Sequence, residues 1–459
     1  MSGTSQLTVG GAFDGHTGIL SIPSSLPTNV NSLLQTYLNN VTGEITTGAA
    51  SFVNYNAVSG TSVTASGTGP SSYEEITNIN GLGASVSGSA AGLVSVAAGV
   101  TDLVVQVPGA VSVDGVSSTN FALFGAGSNV TYSVDGGAGS IFAAGGNDFI
   151  SVTNANDTVT SGGNDTVRFS ALTSGNEIVN AVGNATTHVF LGGADAATVT
   201  ASDSAQASVV FLPRAGGNLD FINNSSSAQT VFSGLYTVTG GGNQYTSNSV
   251  TVFGGAGGGF YVGGSAGFNS LIGGTGNSSL VGGGNGDILS TGGASNDLFN
   301  GNGAETLLGG GVSNTFFVGL EDVGIGTIRA AGDLASAGGS GAQNFILGQL
   351  SATTLTGSTV HGASNVYDVL GTYTTTGGQA VTIGGSDFTI TDFGANSTIN
   401  LLNGSFETLA GAPTVQTVES AIGGGGTSIL LNDGTVITLK GVATSQINAA
   451  IGGHSITFK

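Results

Sequence analysis

The chain has 459 residues, of which 84 are glycine and only 7% are charged, and it contains neither cysteine nor tryptophan. Its net charge of −21 disfavours binding to nucleic acid or to anionic membranes, and no apolar run is long enough for a membrane-spanning helix. A hydrophobic share of 39% argues against a disordered chain. The absence of cysteine excludes a disulfide framework.

Residues 1–60 do not repeat, and we expect them to form an N-terminal cap region. Within them, residues 29–38 place apolar side chains at helical spacing after a proline, which predicts one short helix. Residues 61–253 are rich in Ser, Thr, Val and Gly and carry frequent turn signals. That texture predicts an irregular β-solenoid.

The sharpest local pattern lies at residues 136–170. Asp148, Asp157 and Asp165 each follow an asparagine and precede a short strand-like segment, at spacings of nine and eight residues. If two units make one coil, Asp148 and Asp165 lie on the same side of adjacent coils and Asp157 on the other. Carboxylates stacked beside glycine-turn carbonyls provide the oxygen ligands that Ca²⁺ prefers. The alternative is that each aspartate accepts hydrogen bonds from backbone N–H groups of its own turn.

Residues 254–318 form a Gly-rich array with a period close to nine residues. Paired glycines permit tight turns because they tolerate positive φ. A repeat of this length predicts a stacked parallel β-coil, whose apolar face is buried only when units stack. One apolar residue of each unit is predicted to point inward: Tyr261, Leu271, Leu280, Leu289, Phe299, Leu307 and Phe316.

The sixth residue of each unit is the candidate position for a metal ligand. It is acidic at Asp287, Asp297 and Glu305, and the eighteen-residue spacing of Asp287 and Glu305 predicts that they share a site. Most other units have no carboxylate there. Asparagines such as Asn269 and Asn314 are instead expected to hydrogen-bond from coil to coil.

The rest of the chain divides into a looser stretch of linker and strands at residues 319–383 and a C-terminal region at residues 384–459. The first residues of the chain, MSGTSQLTVGG, lack a basic and an apolar segment, so no cleavable N-terminal secretion signal is expected.

The units of the form GGxGxDxUx, where U is apolar, resemble the nonapeptide of the RTX (repeats-in-toxin) family, which forms a calcium-dependent parallel β-roll. The segment DFTITDF at residues 387–393 is similar to the segment that follows such repeats in secreted proteases and lipases. The end of the chain, with DGTVITLKGV at residues 433–442, looks like a type I secretion C-terminus.

The resemblance covers residues 136–170, 254–318 and 384–459. It implies Ca²⁺ as the bound metal and export by a type I exporter. It also implies metal-ligand roles for Asp148, Asp157, Asp165, Asp287, Asp297 and Glu305.

The sequence offers no convincing catalytic group. Its four histidines form no HExxH motif, and the GxSxG match at residues 263–267 lies in Gly-rich repeats rather than between a strand and a helix. Five basic residues are few for a polysaccharide lyase. Paired carboxylates for glycoside cleavage stay open, because their separation depends on the fold.

The sequence therefore predicts an all-β chain, a long parallel β-solenoid or RTX-like β-roll with one or two short helices near its ends. The predicted function is structural: a secreted protein that polymerises with itself at a bacterial surface or in a biofilm matrix, as a filament, S-layer or adhesin, with Ca²⁺-assisted folding. Cell-surface or matrix polysaccharide is a further expected partner, and no membrane insertion is expected. The alternatives are a polysaccharide-acting enzyme and a monomeric glycan-binding module.

Overall fold

The structure is a computed structural model, and part of the chain is described in it. The described residues are 4–13, 16–23, 51–58, 63–65, 72–80, 92–96, 102–105, 109–115, 117, 121–125, 128–136, 139–153, 157–170, 176–192, 196–211, 218–233, 249–264, 268–293, 295–299, 304–318, 331–348, 352–371, 385–403, 413–421 and 425–459. The helix predicted at residues 29–38 lies outside them.

The chain divides into two compact units, residues 1–246 and residues 247–459. The strands of the first unit are β1 (Thr4–Phe13), β2 (His16–Pro23), β3 (Ser51–Val58), β4 (Val63–Ala65), β5 (Ser72–Asn80), β6 (Gly92–Val96), β7 (Asp102–Val105), β8 (Gly109–Asp114), β9 (Phe121–Phe124), β10 (Ser128–Asp135), β11 (Ser140–Ala143), β12 (Phe149–Thr153), β13 (Thr158–Ser161), β14 (Thr166–Phe169), β15 (Asn176–Ala181), β16 (Thr186–Leu191), β17 (Ala196–Asp203), β18 (Gln206–Phe211), β19 (Asn218–Ser225) and β20 (Gln229–Ser233).

The strands of the second unit are β21 (Ser249–Phe253), β22 (Gly259–Val262), β23 (Ser270–Ile272), β24 (Ser278–Val281), β25 (Ile288–Thr291), β26 (Ser295–Phe299), β27 (Thr306–Gly309), β28 (Ser313–Val318), β29 (Ala331–Ala337), β30 (Ala342–Leu347), β31 (Ala352–Thr356), β32 (Ser364–Gly371), β33 (Asp387–Ile390), β34 (Ser397–Asn403), β35 (Val415–Ala421), β36 (Gly426–Leu431), β37 (Val436–Leu439), β38 (Ile447–Asn448) and β39 (Ser455–Phe458). A 3₁₀ turn at Thr444–Gln446 is the one helical element in the described part of the chain. No described helix is long and apolar enough to cross a membrane.

The first unit is a parallel β-solenoid built from two sheets. Each coil contributes one strand to each sheet. The even-numbered strands β4 to β20 pair in parallel, each with the next even strand. The odd-numbered strands β3 to β19 pair in the same way. Strands β1 and β2 form a separate antiparallel hairpin.

The second unit has the same architecture, and the all-β solenoid prediction is confirmed. Its even sheet runs in parallel from β22 to β34, and its odd sheet from β21 to β33. In the Gly-rich array, Leu280 lies opposite Leu298 and Leu298 opposite Phe316. Two nonapeptide units therefore make one coil, with one strand in each sheet.

The core lies between the two sheets of each unit, because side chains alternate between the inside and the outside along every strand. Strand β15 shows this pattern, with Ile178 and Asn180 partly exposed between buried neighbours. Large aromatic side chains also stack inside. The rings of Phe316 and Phe345 are 4.7 Å apart, and those of Phe345 and Tyr367 are 4.8 Å apart.

Six of the seven predicted inward residues of the array are fully buried, and the prediction for Phe299 is wrong. Leu298 is buried in its place, while Phe299 lies on the outer face. The buried residues Leu289, Leu298 and Leu307 keep a regular spacing of nine, and the prediction placed this unit one residue too late. Because strand side chains have a period of two, an error of one residue assigns every side chain to the opposite face.

The C-terminal region closes the second unit with antiparallel strands. In the odd sheet β33 pairs in parallel with β37, which continues antiparallel into β36 and β35. In the even sheet β34 pairs antiparallel with β39, which pairs with the two-residue strand β38. This C-terminal cap covers the edges that the last parallel strands would otherwise present.

Glycine is required where one coil turns against the next. Gly311 has a φ of 76°, and a Cβ atom there would overlap the carbonyl oxygen of Gly293 in the preceding coil. Gly425 has a similar φ of 71° but open space where its Cβ would be. A comparison of substitutions at Gly311 and Gly425 therefore distinguishes the effect of backbone strain from the effect of contact between coils.

We predict that Gly311→Ala destabilises the second unit more than Gly425→Ala does. Positive φ alone should cost about 1–2 kcal/mol at each position, and only Gly311→Ala also forces two coils apart. The measurement is the melting temperature of both variants by circular dichroism. Equal shifts would show that inter-coil contact at Gly311 contributes nothing.

Candidate functional site

Asp148 and Asp165 occupy adjacent rungs of the even sheet in the first unit. They directly precede β12 and β14, which pair in register. Both side chains are buried. The backbone N–H of Asp148 donates to Oδ1 of Asp165 at 2.9 Å, so the two residues are in direct contact. Their predicted placement on the same side of adjacent coils is confirmed.

The two carboxylates differ in how well they are hydrogen-bonded. Oδ2 of Asp165 accepts from the hydroxyl of Ser161 at 2.7 Å and from the N–H of Gly163 at 3.3 Å. Oδ1 of Asp148 accepts from the N–H of Val130 at 2.6 Å. Oδ2 of Asp148 has no hydrogen-bond partner among the described residues.

Burial makes negative charge at this pair unfavourable. It raises the pKa of Asp148 from 3.8 to about 8, with a further contribution from the charge of Asp165 and a partial offset from the Val130 hydrogen bond. It also raises the pKa of Asp165 to about 6, because desolvation outweighs three hydrogen bonds. A proton or a cation beside Oδ2 of Asp148 relieves this cost.

Asp157 lies in the odd sheet, as predicted, and its neighbour there is a residue that the sequence reasoning missed. Its Oδ1 accepts from the N–H of Gly139 at 2.5 Å, and burial raises its pKa. The pairing of β13 with β15 brings Glu177 to the next rung, and Glu177 is also buried. The sequence Asn-Glu-Ile-Val at 176–179 matches the pattern Asn-Asp-Thr-Val at 156–159. The coil between them is longer than two nonapeptide units, so the nine-residue spacing does not reveal the match.

In the second unit, Asp287 and Glu305 occupy adjacent rungs of the odd sheet, directly before β25 and β27. Both are buried. Asp287 is saturated with donors. Its Oδ2 accepts from the N–H groups of Gly283 and Gly284 at 2.8 and 3.0 Å, and Nδ2 of Asn269 lies 2.9 Å from both of its oxygens.

The even sheet of the array carries a ladder of neutral side chains at the same position. Nδ2 of Asn296 donates to Oδ1 of Asn314 at 3.0 Å, and Nδ2 of Asn314 donates to Oε1 of Gln343 at 2.7 Å. The expected hydrogen bonding of amides from coil to coil is confirmed. Each amide is both donor and acceptor, so the ladder needs no ion.

Asp297 does not lie on this ladder. The sequence alignment placed it at the sixth position of its unit, but Asn296 occupies that rung, opposite Ser278 and Asn314. Asp297 lies on the outer face of β26, as Phe299 does. The predicted metal ligands therefore fall into three buried groups and one outer residue.

The buried groups differ in how they suit a cation. Ca²⁺ takes six to eight oxygen ligands, and the described residues contain no group of three or more His, Cys, Asp or Glu side chains that could hold a metal. Backbone carbonyls would supply the remaining ligands. Asp148 and Asp165 fit, because one buried carboxylate oxygen lacks a partner. Asp287 fits poorly, since amide and backbone donors already surround it.

No family model, curated protein or solved structure matches this chain. The likeness to RTX repeats therefore stays a resemblance carried by the residues quoted above.

We predict that Asp148 makes the first unit less stable as pH rises. Its folded pKa of about 8 exceeds 3.8, so the stability it contributes is present below pH 4 and lost as pH rises through 8. In chelator, Asp148→Asn should flatten the fall in melting temperature between pH 4 and pH 8. The side-chain amide oxygen of the asparagine can still accept the hydrogen bond from the N–H of Val130, and the amide carries no charge.

The exposed Asp114 provides the matched control, and Asp114→Asn should leave the pH profile of the wild type unchanged. If Asp148→Asn has the same dependence of melting temperature on pH as the wild type, the carboxylate of Asp148 is not the source of that dependence.

Proposed function

We propose that this chain is an extracellular structural protein that assembles with its own copies at a bacterial surface or in a biofilm matrix. The observation that carries the proposal is the exposure of large aromatic side chains on an acidic protein. Exposed apolar side chains that lie side by side mark contact surfaces between proteins, and Phe190, Val210 and Phe232 lie in register on successive strands of one sheet. The exposed phenylalanines among the described residues are Phe149, Phe190, Phe232, Phe253, Phe260 and Phe268.

The regular outer faces support assembly. Coils in register place outward side chains in straight rows at the strand spacing of ~4.8 Å. Phe299 and Phe317 form part of such a row, with rings 4.1 Å apart and nearly parallel. A flat, repeating surface packs readily against another surface with the same repeat. No catalytic residue is needed for this role.

Calcium assists folding of the first unit in this proposal. The residues that would hold it are Asp148 and Asp165, together with glycine-turn carbonyls, and Asp157 and Glu177 form a weaker second group. A bound Ca²⁺ would neutralise the buried carboxylates that burial otherwise disfavours. Export through a type I exporter, directed by residues 384–459, belongs to the same proposal.

A polar groove on the second unit favours a second candidate, a glycan-binding module. The groove has a volume of about 400 Å³ and is lined by hydroxyl and amide groups, including Ser279, Thr315 and Asn344. These groups hydrogen-bond to sugar hydroxyls in many binding sites. A screen of bacterial polysaccharides against the purified protein tests this candidate.

We predict that Ca²⁺ raises the melting temperature of the wild type at pH 8, and that Asp148→Asn removes most of that gain. The reason is that the variant loses the carboxylate whose Oδ2 accepts no hydrogen bond. Asp287→Asn should keep the increase in melting temperature, because the carboxylate of Asp287 already accepts hydrogen bonds from amide and backbone N–H groups. Calorimetry in chelator and in millimolar Ca²⁺ measures the change in melting temperature of each protein. A calcium gain that depends on Asp287 and not on Asp148 would reverse the assignment.

We predict that the purified full-length protein forms regular filaments or sheets in Ca²⁺ when viewed by negative-stain electron microscopy. Rows of exposed aromatic side chains on a repeating surface provide the attraction. Loss of these assemblies in chelator would link assembly to the buried carboxylates. Single particles in both conditions would contradict the structural role and favour the glycan-binding module.

A further inference from the structure

The outer face of the even sheet in the first unit carries a row that begins with a positive charge and continues with apolar side chains. Arg168, Phe190, Val210 and Phe232 lie in register on β14, β16, β18 and β20. Phe190 and Phe232 are 43% and 45% exposed. We name these four residues the arginine row.

Arg168 is unusual for its setting. The chain has five Lys and Arg residues against 26 acidic ones, yet no ion pair joins Arg168 to any carboxylate in the described ranges. Its side chain is exposed. A solvent-exposed guanidinium beside an apolar row, on an acidic protein, indicates a surface for a partner that offers a carboxylate.

The second unit carries a row with complementary features. Val281, Phe299, Phe317 and Ile346 lie in register on the outer face of β24, β26, β28 and β30. All four are partly exposed. We name them the phenylalanine row.

Beside the phenylalanine row lies the polar groove. Among the described residues that line it, Asp297 is the only charged one, and Ser279, Thr315 and Asn344 lie in register with it on the neighbouring strands. The groove thus combines one carboxylate with several hydroxyl and amide acceptors. A guanidinium group, with five N–H donors in a planar fork, suits that set.

We propose that the arginine row of one copy docks on the phenylalanine row of a second copy, with Arg168 entering the groove beside Asp297. This inference rests on the proposed function and names the surfaces through which it works. The second copy is favoured as the occupant because the two surfaces match in charge and in repeat. Arg168 stands at the start of its own row, whereas Asp297 stands on β26 two residues before Phe299, so each surface holds one charge next to apolar residues that repeat from strand to strand.

The contact is heterologous, since it joins two different surfaces. Every copy in such an assembly offers one free surface of each kind, so addition continues unless the geometry closes a ring. Sheets that pack face to face lie about 10 Å apart, a distance that brings opposed aromatic rows into contact. The result is an open, staggered polymer of whole molecules.

Charge reversal in the full-length protein tests the contact. Arg168→Glu should raise the concentration at which assemblies form by about tenfold or more, because it opposes two carboxylates. Asp297→Arg should do the same by opposing two cations. The double variant Arg168→Glu with Asp297→Arg restores opposite charges across the contact, so it should assemble at a concentration close to that of the wild type.

Lys440→Glu is the matched control, since it makes the same change of charge at an exposed position in the C-terminal cap. Circular dichroism shows whether each variant is folded, and sedimentation with negative-stain microscopy measures assembly.

The contact is overturned, with the proposed function intact, if the wild type assembles and Arg168→Glu assembles equally well. It is also overturned if the double variant does not recover assembly. A wild type that stays monomeric overturns both. Binding of a glycan in the groove, with assembly unaffected by Asp297→Arg, also overturns the contact.

Discussion

Each coil of this protein places its side chains directly over the equivalent side chains of the coil before it, and the backbone hydrogen bonds between coils enforce that placement. Similar side chains therefore meet at many positions inside the two units. This placement stabilises amide side chains, because Nδ2 of Asn296 donates a hydrogen bond to Oδ1 of Asn314. It also stabilises aromatic side chains, because the rings of Phe316 and Phe345 stack nearly parallel. Carboxylates do not benefit: burial raises the pKa of Asp148, and the charge of Asp165 on the adjacent rung raises it further. The same constraint thus stabilises the array and creates a demand for positive charge in the first unit.

The two units meet this constraint differently. The array places neutral side chains at most of its inward polar positions and surrounds Asp287 with donors. The first unit keeps Asp148 and Asp165 on adjacent rungs with one oxygen unsatisfied. The first unit is therefore the part whose stability we expect to depend more strongly on pH and on cations.

Much of the fold could be predicted because turns and apolar positions recur at nearly equal intervals. The period of nine identified the coil, and the pairing of two units per coil placed Asp148 over Asp165. The prediction failed at Phe299 and Asp297, because it aligned the unit on the acidic residue while the true register lies one residue earlier. Glu177 was missed because the coil before it is longer than eighteen residues. The outer faces could not be predicted, because the neighbours of an outward side chain depend on coil lengths that the repeat does not fix.

The C-terminal cap has a consequence for the scale of any polymer. Its edge strands are poor templates for further pairing, since β38 has two residues and an isolated bridge from Ile451 covers part of β35. A foreign strand is thus hindered from extending the sheets of the second unit at this end. Coils of separate molecules do not merge there into a continuous cross-β ribbon. A polymer of this chain would therefore keep a molecular repeat, which would appear in diffraction as an axial spacing many times larger than the strand separation.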